Sequence, residues 1–300
     1  MKKKTYLFAL MAMALTLGSC SDNENGIGGE TSKYITVSTS IGNMTRVATD
    51  EKGGQTFEEG DEISVYAWTG DATVAPETRE RVVNNAINKL TNGSWVSTPQ
   101  MLWKNNRDKH YFIGVYPISA ISDLSAGEYT FDETKQVESD LLVAVNKDGL
   151  SYNVDEQQTV PLTFTHVMAK LVVNLTYKNQ WGGIPTVEKV VVGNAAKEAT
   201  INYLTKVVTP STTAKEDFSL PEITENTKYV SVIIPQEDVK QLTIVIGGKN
   251  FVYDNGTPFK LESGKITTVN LEVGRDEIKL GDVKITDWEN GSTFSGEALN

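Results

Sequence analysis

The stretch Lys170-Leu171-Val172-Val173-Asn174-Leu175-Thr176-Tyr177 sets Leu171, Val173, Leu175 and Tyr177 on one side of an extended chain. A period of two marks a half-buried β-strand, because successive side chains point to opposite faces. The same alternation lies upstream in Tyr34–Ile41, Ile63–Trp68, Tyr111–Tyr116 and Val160–Phe164. It lies downstream in Val230–Ile234, Leu242–Ile246, Thr267–Val273 and Leu280–Ile285. Leu141–Val145 is a continuous apolar run and reads as a strand covered on both faces. Asn92-Gly93 and Asn255-Gly256 are hairpin signals, and Gly247-Gly248 separates Leu242–Ile246 from Phe251–Tyr253. Only Glu77–Leu90 leaves helix and strand open: Val83, Ile87 and Leu90 fit a helical spacing, and Val83 and Ile87 also fit one face of a strand. Strands without intervening helices predict an all-β protein of antiparallel sheets packed as β-sandwiches.

The chain has 300 residues, 39% hydrophobic and 22% charged, enough for two cores. The polar stretch Asp155–Gln158 divides the rest into near-equal halves, so two domains are expected, at 33–157 and 158–300. Lysine and arginine total 28 against 39 acidic residues, a net charge of −11. This argues against nucleic acid, whose phosphates call for a basic surface.

The first twenty residues read as an address. Lys2, Lys3 and Lys4 precede an apolar run, Tyr6–Leu17, too short to span a bilayer. The run ends in Leu17-Gly18-Ser19-Cys20, which resembles the lipobox of bacterial lipoproteins, where the cysteine is acylated. Residues 1–19 are then a lipoprotein signal peptide, and 20–32 a flexible tether. Ser21-Asp22-Asn23-Glu24 resembles the surface-export signal of Bacteroidota lipoproteins. Removing residues 1–19 takes away three lysines and no acids, leaving −14. With Cys20 the only cysteine, no internal disulfide can form.

Catalytic, cofactor and metal residues are not found. One cysteine and two histidines are too few soft ligands for a structural zinc site. His166 reads as a structural residue at a strand end, and His110, beside Arg107-Asp108-Lys109, as solvated. The chain has no Gly-x-Ser-x-Gly elbow, P-loop or dinucleotide fingerprint. Glu58, Glu59, Asp61 and Glu62 read as a turn with solvated charges rather than a glycosidase pair or a calcium loop. The five tryptophans read mainly as packing residues.

Several segments, in order along residues 33–290, resemble the fimbrillin (Mfa-like) family, the type V pilin superfamily of the Bacteroidota. They are Ile41–Arg46, Glu59–Tyr66, Tyr111–Pro117, Asp140–Ala144, Leu162–Leu171, Ile233–Gln236, Ser263–Ile266 and Ile285–Trp288. The resemblance implies two tandem transthyretin-like Greek-key β-sandwich domains, not an enzyme, and a role in surface fimbriae and adhesion. It implies a lipid on Cys20 that holds the chain to the outer membrane, partnership with other fimbrial subunits, and a host or glycan receptor. It also implies a trypsin-like, arginine-specific protease that cuts after Arg46. Such a cut severs Ile35, Val37 and Ile41 from the chain, and about 5–9 kcal/mol of burial with them, at about 1.5–3 per side chain. A sheet edge left open beside an apolar groove is a template for strand addition. Leu280–Trp288, with Val283 and Ile285 on one face, is the candidate donor. The tail 289–300 has little apolar alternation and leaves shaft, anchor and tip roles open. The alternative is a surface glycan-binding lipoprotein that does not polymerise, its tryptophans stacking on sugars.

Overall fold

The computed structural model describes residues 33–42, 56–153, 155–156, 158–254 and 256–288. Among them the chain is all-β, with no α-helix. The first eight strands are β1 (Thr36–Ile41), β2 (Glu62–Thr69), β3 (Arg81–Thr91), β4 (Ser94–Thr98), β5 (His110–Tyr116), β6 (Gly127–Thr130), β7 (Leu142–Leu150) and β8 (Thr159–His166). Then come β9 (Ala169–Tyr177), β10 (Val187–Ala196), β11 (Glu198–Asn202), β12 (Val207–Pro210), β13 (Lys215–Ser219) and β14 (Glu222–Thr224). The last five are β15 (Lys228–Ile233), β16 (Gln241–Ile246), β17 (Lys249–Asp254), β18 (Lys265–Val273) and β19 (Ile278–Asp287).

A seven-stranded sheet has the order β1-β8-β7-β5-β2-β3-β4. Its opposite edges, β1 and β4, meet: the Trp95 indole N–H on β4 donates to Thr39 Oγ1 on β1 at 3.0 Å. The sheet therefore curls around an inner core of Ile35, Val37, Ile41, Ile63, Val65, Phe112, Leu162 and Phe164. Gly114 makes room there: a Cβ on it would stand 2.6 Å from the Phe164 ring. The other face of the sheet supplies Tyr66, Trp68, Ile113, Val115, Leu141 and Val143 to an outer core that continues through the C-terminal half. Leu142 and Ala144 face the inner core, so the apolar run over 141–145 is covered on both sides.

The C-terminal half holds a five-stranded sheet, β14-β15-β9-β18-β19, and a four-stranded one, β13-β10-β16-β17. A third sheet, β12-β11-β6, joins the halves, since β6 comes from the first and β11 from the second.

Several expectations are corrected. The sheets are not wholly antiparallel: β1 pairs with β8, and β9 with β18, in parallel. Alternation reports which face is buried and carries no information on strand direction. β8 pairs with both β1 and β7, so the first sheet runs through His166. Residues 77–90 form a 3₁₀ turn, Thr78–Glu80, leading into strand β3. Asn92-Gly93 closes the β3–β4 hairpin with both φ positive, as this two-residue turn requires. Asn255 lies outside the described residues; Gly256 follows β17 on the way to β18, which lies in another sheet, so among the described residues these two strands form no hairpin.

Candidate functional site

β1 lies in a slot with two walls. On one side it follows β8 in register, from Thr36 opposite Thr159 to Ile41 opposite Phe164. On the other, Ile35 N donates to Met101 O at 2.9 Å and Trp103 N to Lys33 O at 3.2 Å, while Trp95 reaches Thr39. Gly42 N, bonded to Phe164 O at 2.8 Å, closes the far end. Ile35, Val37 and Ile41 point into the inner core, 2%, 6% and 9% exposed. Thr36 and Ser40 face outward and meet the Thr159 and Thr163 hydroxyls at 3.2 Å. Cys20, Arg46 and the tail 289–300 lie outside the described residues.

β19 is the other notable edge. Among the described residues it pairs with β18 alone. Val283 stands opposite Val269 and Ile285 opposite Thr267, so both share the core-facing side of the sheet. Val269 and Thr267 are buried, yet Val283 and Ile285 are 40% and 39% exposed. The last strand thus carries two aliphatic side chains past the end of the outer core.

Trp288, just beyond β19, is buried and stacks on His166 at the end of β8, with ring centroids 4.0 Å apart and planes 5° from parallel. Its backbone N–H donates to Gly264 O at 2.9 Å. The His166 Nδ1 lies 2.8 Å from Asp140 Oδ1, and its buried Nε2 has no hydrogen-bond partner among the described residues. The Lys170 ammonium sits 4.6 Å from the Trp288 ring centroid. Burial pulls the Lys170 pKa below its ordinary value, opposed by the nearby Asp140 carboxylate. Asp140, His166, Lys170 and Trp288 thus join the two halves where β8 gives way to β9.

A cleft of about 770 Å³ opens beside the start of the slot, lined by Trp68, Val74, Arg79, Leu102, Trp103 and Lys104 among others. Its two tryptophans are buried and packed, Trp103 edge-on against Phe112 and Trp68 tilted against Tyr111, so neither presents an open ring face. The acidic stretch is a turn: Asp61 Oδ2 accepts from Glu58 N at 2.7 Å, and Glu59 Oε1 from Asn92 N at 2.8 Å. His110 is buried, not solvated, because β5 begins there and turns the ring under Trp103. Sequence reading missed Trp95 as a partner of β1. Its place just after the Asn92-Gly93 turn fixes its strand, and only the curl of the sheet brings that strand to β1.

A fimbrillin-like family model matches residues 45–288. Over 323 aligned residues the chain is 24% identical to a provisionally named fimbrium subunit, Fim1C, of Bacteroides uniformis, covering 99% of this chain and 100% of that one. The structure is similar to that of a provisionally named cell adhesion protein from Bacteroides uniformis, with TM-score 0.62, 20% identity, and 86% and 100% of the two chains covered. A fimbrial protein from Bacteroides vulgatus gives TM-score 0.52 at 12% identity, with 84% and 99% covered. At these identities the structural likeness speaks for the fold alone.

Proposed function

This chain belongs to the fimbrillin-like family, and from that premise we propose that it is a structural subunit of a cell-surface fimbria. In this reading it is exported as a lipoprotein, acylated on Cys20 and carried to the outer membrane. A trypsin-like protease then cuts after Arg46, β1 leaves its slot, and a strand of another subunit takes its place. β19, through Val283 and Ile285, is the strand this chain offers in turn. The two halves, 33–157 and 158–300, are read as tandem transthyretin-like sandwiches. The finished fibre serves adhesion to a host or glycan receptor.

One observation carries the reading. β1 fills a two-walled slot with three core side chains, and it precedes Arg46 by only a few residues. A single cut there leaves β1 held by non-covalent contacts alone. A strand so held can be exchanged for another without unfolding the sheet around it.

Limited trypsin treatment of the full chain tests this. The expected result is a new N-terminus at Val47, followed by oligomers seen by light scattering. Chain cleanly cut at Arg46 that remains monomeric at high concentration counts against strand exchange. A Cys20→Ser variant is expected in the soluble fraction rather than with membranes; an unchanged membrane fraction would remove the lipid anchor from the proposal.

A further inference from the structure

We propose that the β1 slot selects its occupant through the Trp95 indole, taking a strand of another subunit that carries Ser or Thr at the third of four inward positions. This rests on the strand-exchange reading above and names the sequence class that exchange favours. Four side chains of β1 and its approach point inward: Ile35, Val37, Thr39 and Ile41. Three are aliphatic and buried; the third in order is a half-buried hydroxyl. Its Oγ1 accepts from Trp95 Nε1 at 3.0 Å.

Trp95 is held independently of β1. Its ring meets Phe57 edge-on at 5.3 Å, and Phe57 meets Phe164 of β8 at 5.1 Å. The donor therefore keeps its place when β1 leaves, and a half-buried indole N–H then needs a new acceptor. A strand with Val at this position has nearly the shape of Thr and leaves the N–H unpaired. The outward hydroxyls of Thr36 and Ser40 bond at exposed positions and select less.

β19 of a second copy fits this slot incompletely. With Val283 and Ile285 in the places of Ile35 and Val37, Asp287 falls at the Thr39 place and Glu289 at the Ile41 place. With Ile278 and Leu280 there, the next two are Asp282 and Lys284. Either register supplies an acceptor for Trp95 and then sets a charge where Ile41 is buried, which is costly. The favoured occupant is therefore a β1-like strand of another subunit, and β19 of a second copy enters the same slot as a weaker one.

The test uses full-length chain cut once at Arg46 and fluorescent peptides of sequence 33–42, followed by anisotropy. The Thr39→Val peptide is expected to bind about fivefold more weakly than the natural sequence, which is about 1 kcal/mol. The Thr39→Ser peptide is expected within about twofold, since it restores the acceptor. On Trp95→Phe chain the natural and Val peptides are expected to bind alike. Equal binding of the Val peptide to unaltered chain, or discrimination that survives Trp95→Phe, overturns the selection. If Trp95→Phe fails to fold, the peptide series on unaltered chain decides alone. Cut chain that takes up no peptide of any sequence overturns strand exchange itself, and the selection with it.

Discussion

His110 sits beneath Trp103, ring centroids 5.0 Å apart, and is fully buried. Lys104 N donates to its Nε2 at 3.0 Å, so the ring proton belongs on Nδ1, which faces Asp108 O at 3.1 Å. This is the neutral tautomer, and protonating Nε2 breaks the Lys104 bond. Burial lowers the imidazole pKa below its ordinary value, although the Asp108 and Leu150 carbonyls pull it upward. The unfolded chain therefore takes up this proton first as pH falls through about 6.5. Stability is lost from there down to the folded pKa, at no more than about 1.4 kcal/mol per pH unit. Urea melts at pH 7.5 and 5.0 are expected to show a lower midpoint at pH 5.0. The gap should narrow in His110→Gln, whose carbonyl can accept from Lys104 N without titrating. An undiminished gap would assign the acid sensitivity to other groups. The neighbouring charged residues point to a solvated ring; the sense of the first residue of β5 decides otherwise.

At the scale of elements, β19 is the strand whose placement is hardest to justify by the core alone. Val283 and Ile285 share a face with buried Val269 and Thr267 and yet stay exposed. Replacing both with lysine is expected to move the monomer's stability by less than about 0.5 kcal/mol per site, because little burial is lost. The same double variant is expected to stop oligomer growth after the Arg46 cut, since two charges would have to enter a partner's apolar slot. A large fall in the melting midpoint, or growth at the normal rate, would contradict this role for β19. The strands with clean alternation, such as β8 and the outer part of β9, are legible in sequence because each buries alternate residues. β10 is not. Val190 and Val192 are buried, but the register then shifts before Ala195, with Asn194 at φ +55°, and the alternation breaks. β12 and β14 are short edge strands and leave little pattern to read. The buried face of β1 was readable for the same reason as β9. Its partners were not, because Thr159 and Trp95 lie far off in sequence and only the sheet's curl unites them.

At the scale of the molecule, the two cores differ in what β1 contributes. Ile35, Val37 and Ile41 belong to the inner core, and the outer core contains no residue of β1. The outer core runs through both halves, and further contacts cross with it. β6 pairs with β11, and Gln136 Oε1 accepts from Val232 N at 2.7 Å and Ser231 Oγ at 3.2 Å. Unfolding either half exposes apolar surface belonging to the other, so the intact chain is expected to melt in one transition, with calorimetric and van't Hoff enthalpies equal. Displacing β1 after the cut removes about 5–9 kcal/mol of burial, at about 1.5–3 per side chain. At about 2–4 °C per kcal/mol for a chain of this size, the midpoint should fall by more than about 10 °C. It should remain one transition, because β2, β5 and β7 carry side chains into both cores and couple them. Scanning calorimetry before and after β1 is stripped makes the comparison. A second, low-temperature transition in the stripped chain would mean that the inner core melts alone. An open slot would then be a partly unfolded state rather than a preformed acceptor, and strand exchange would have to proceed by coupled folding.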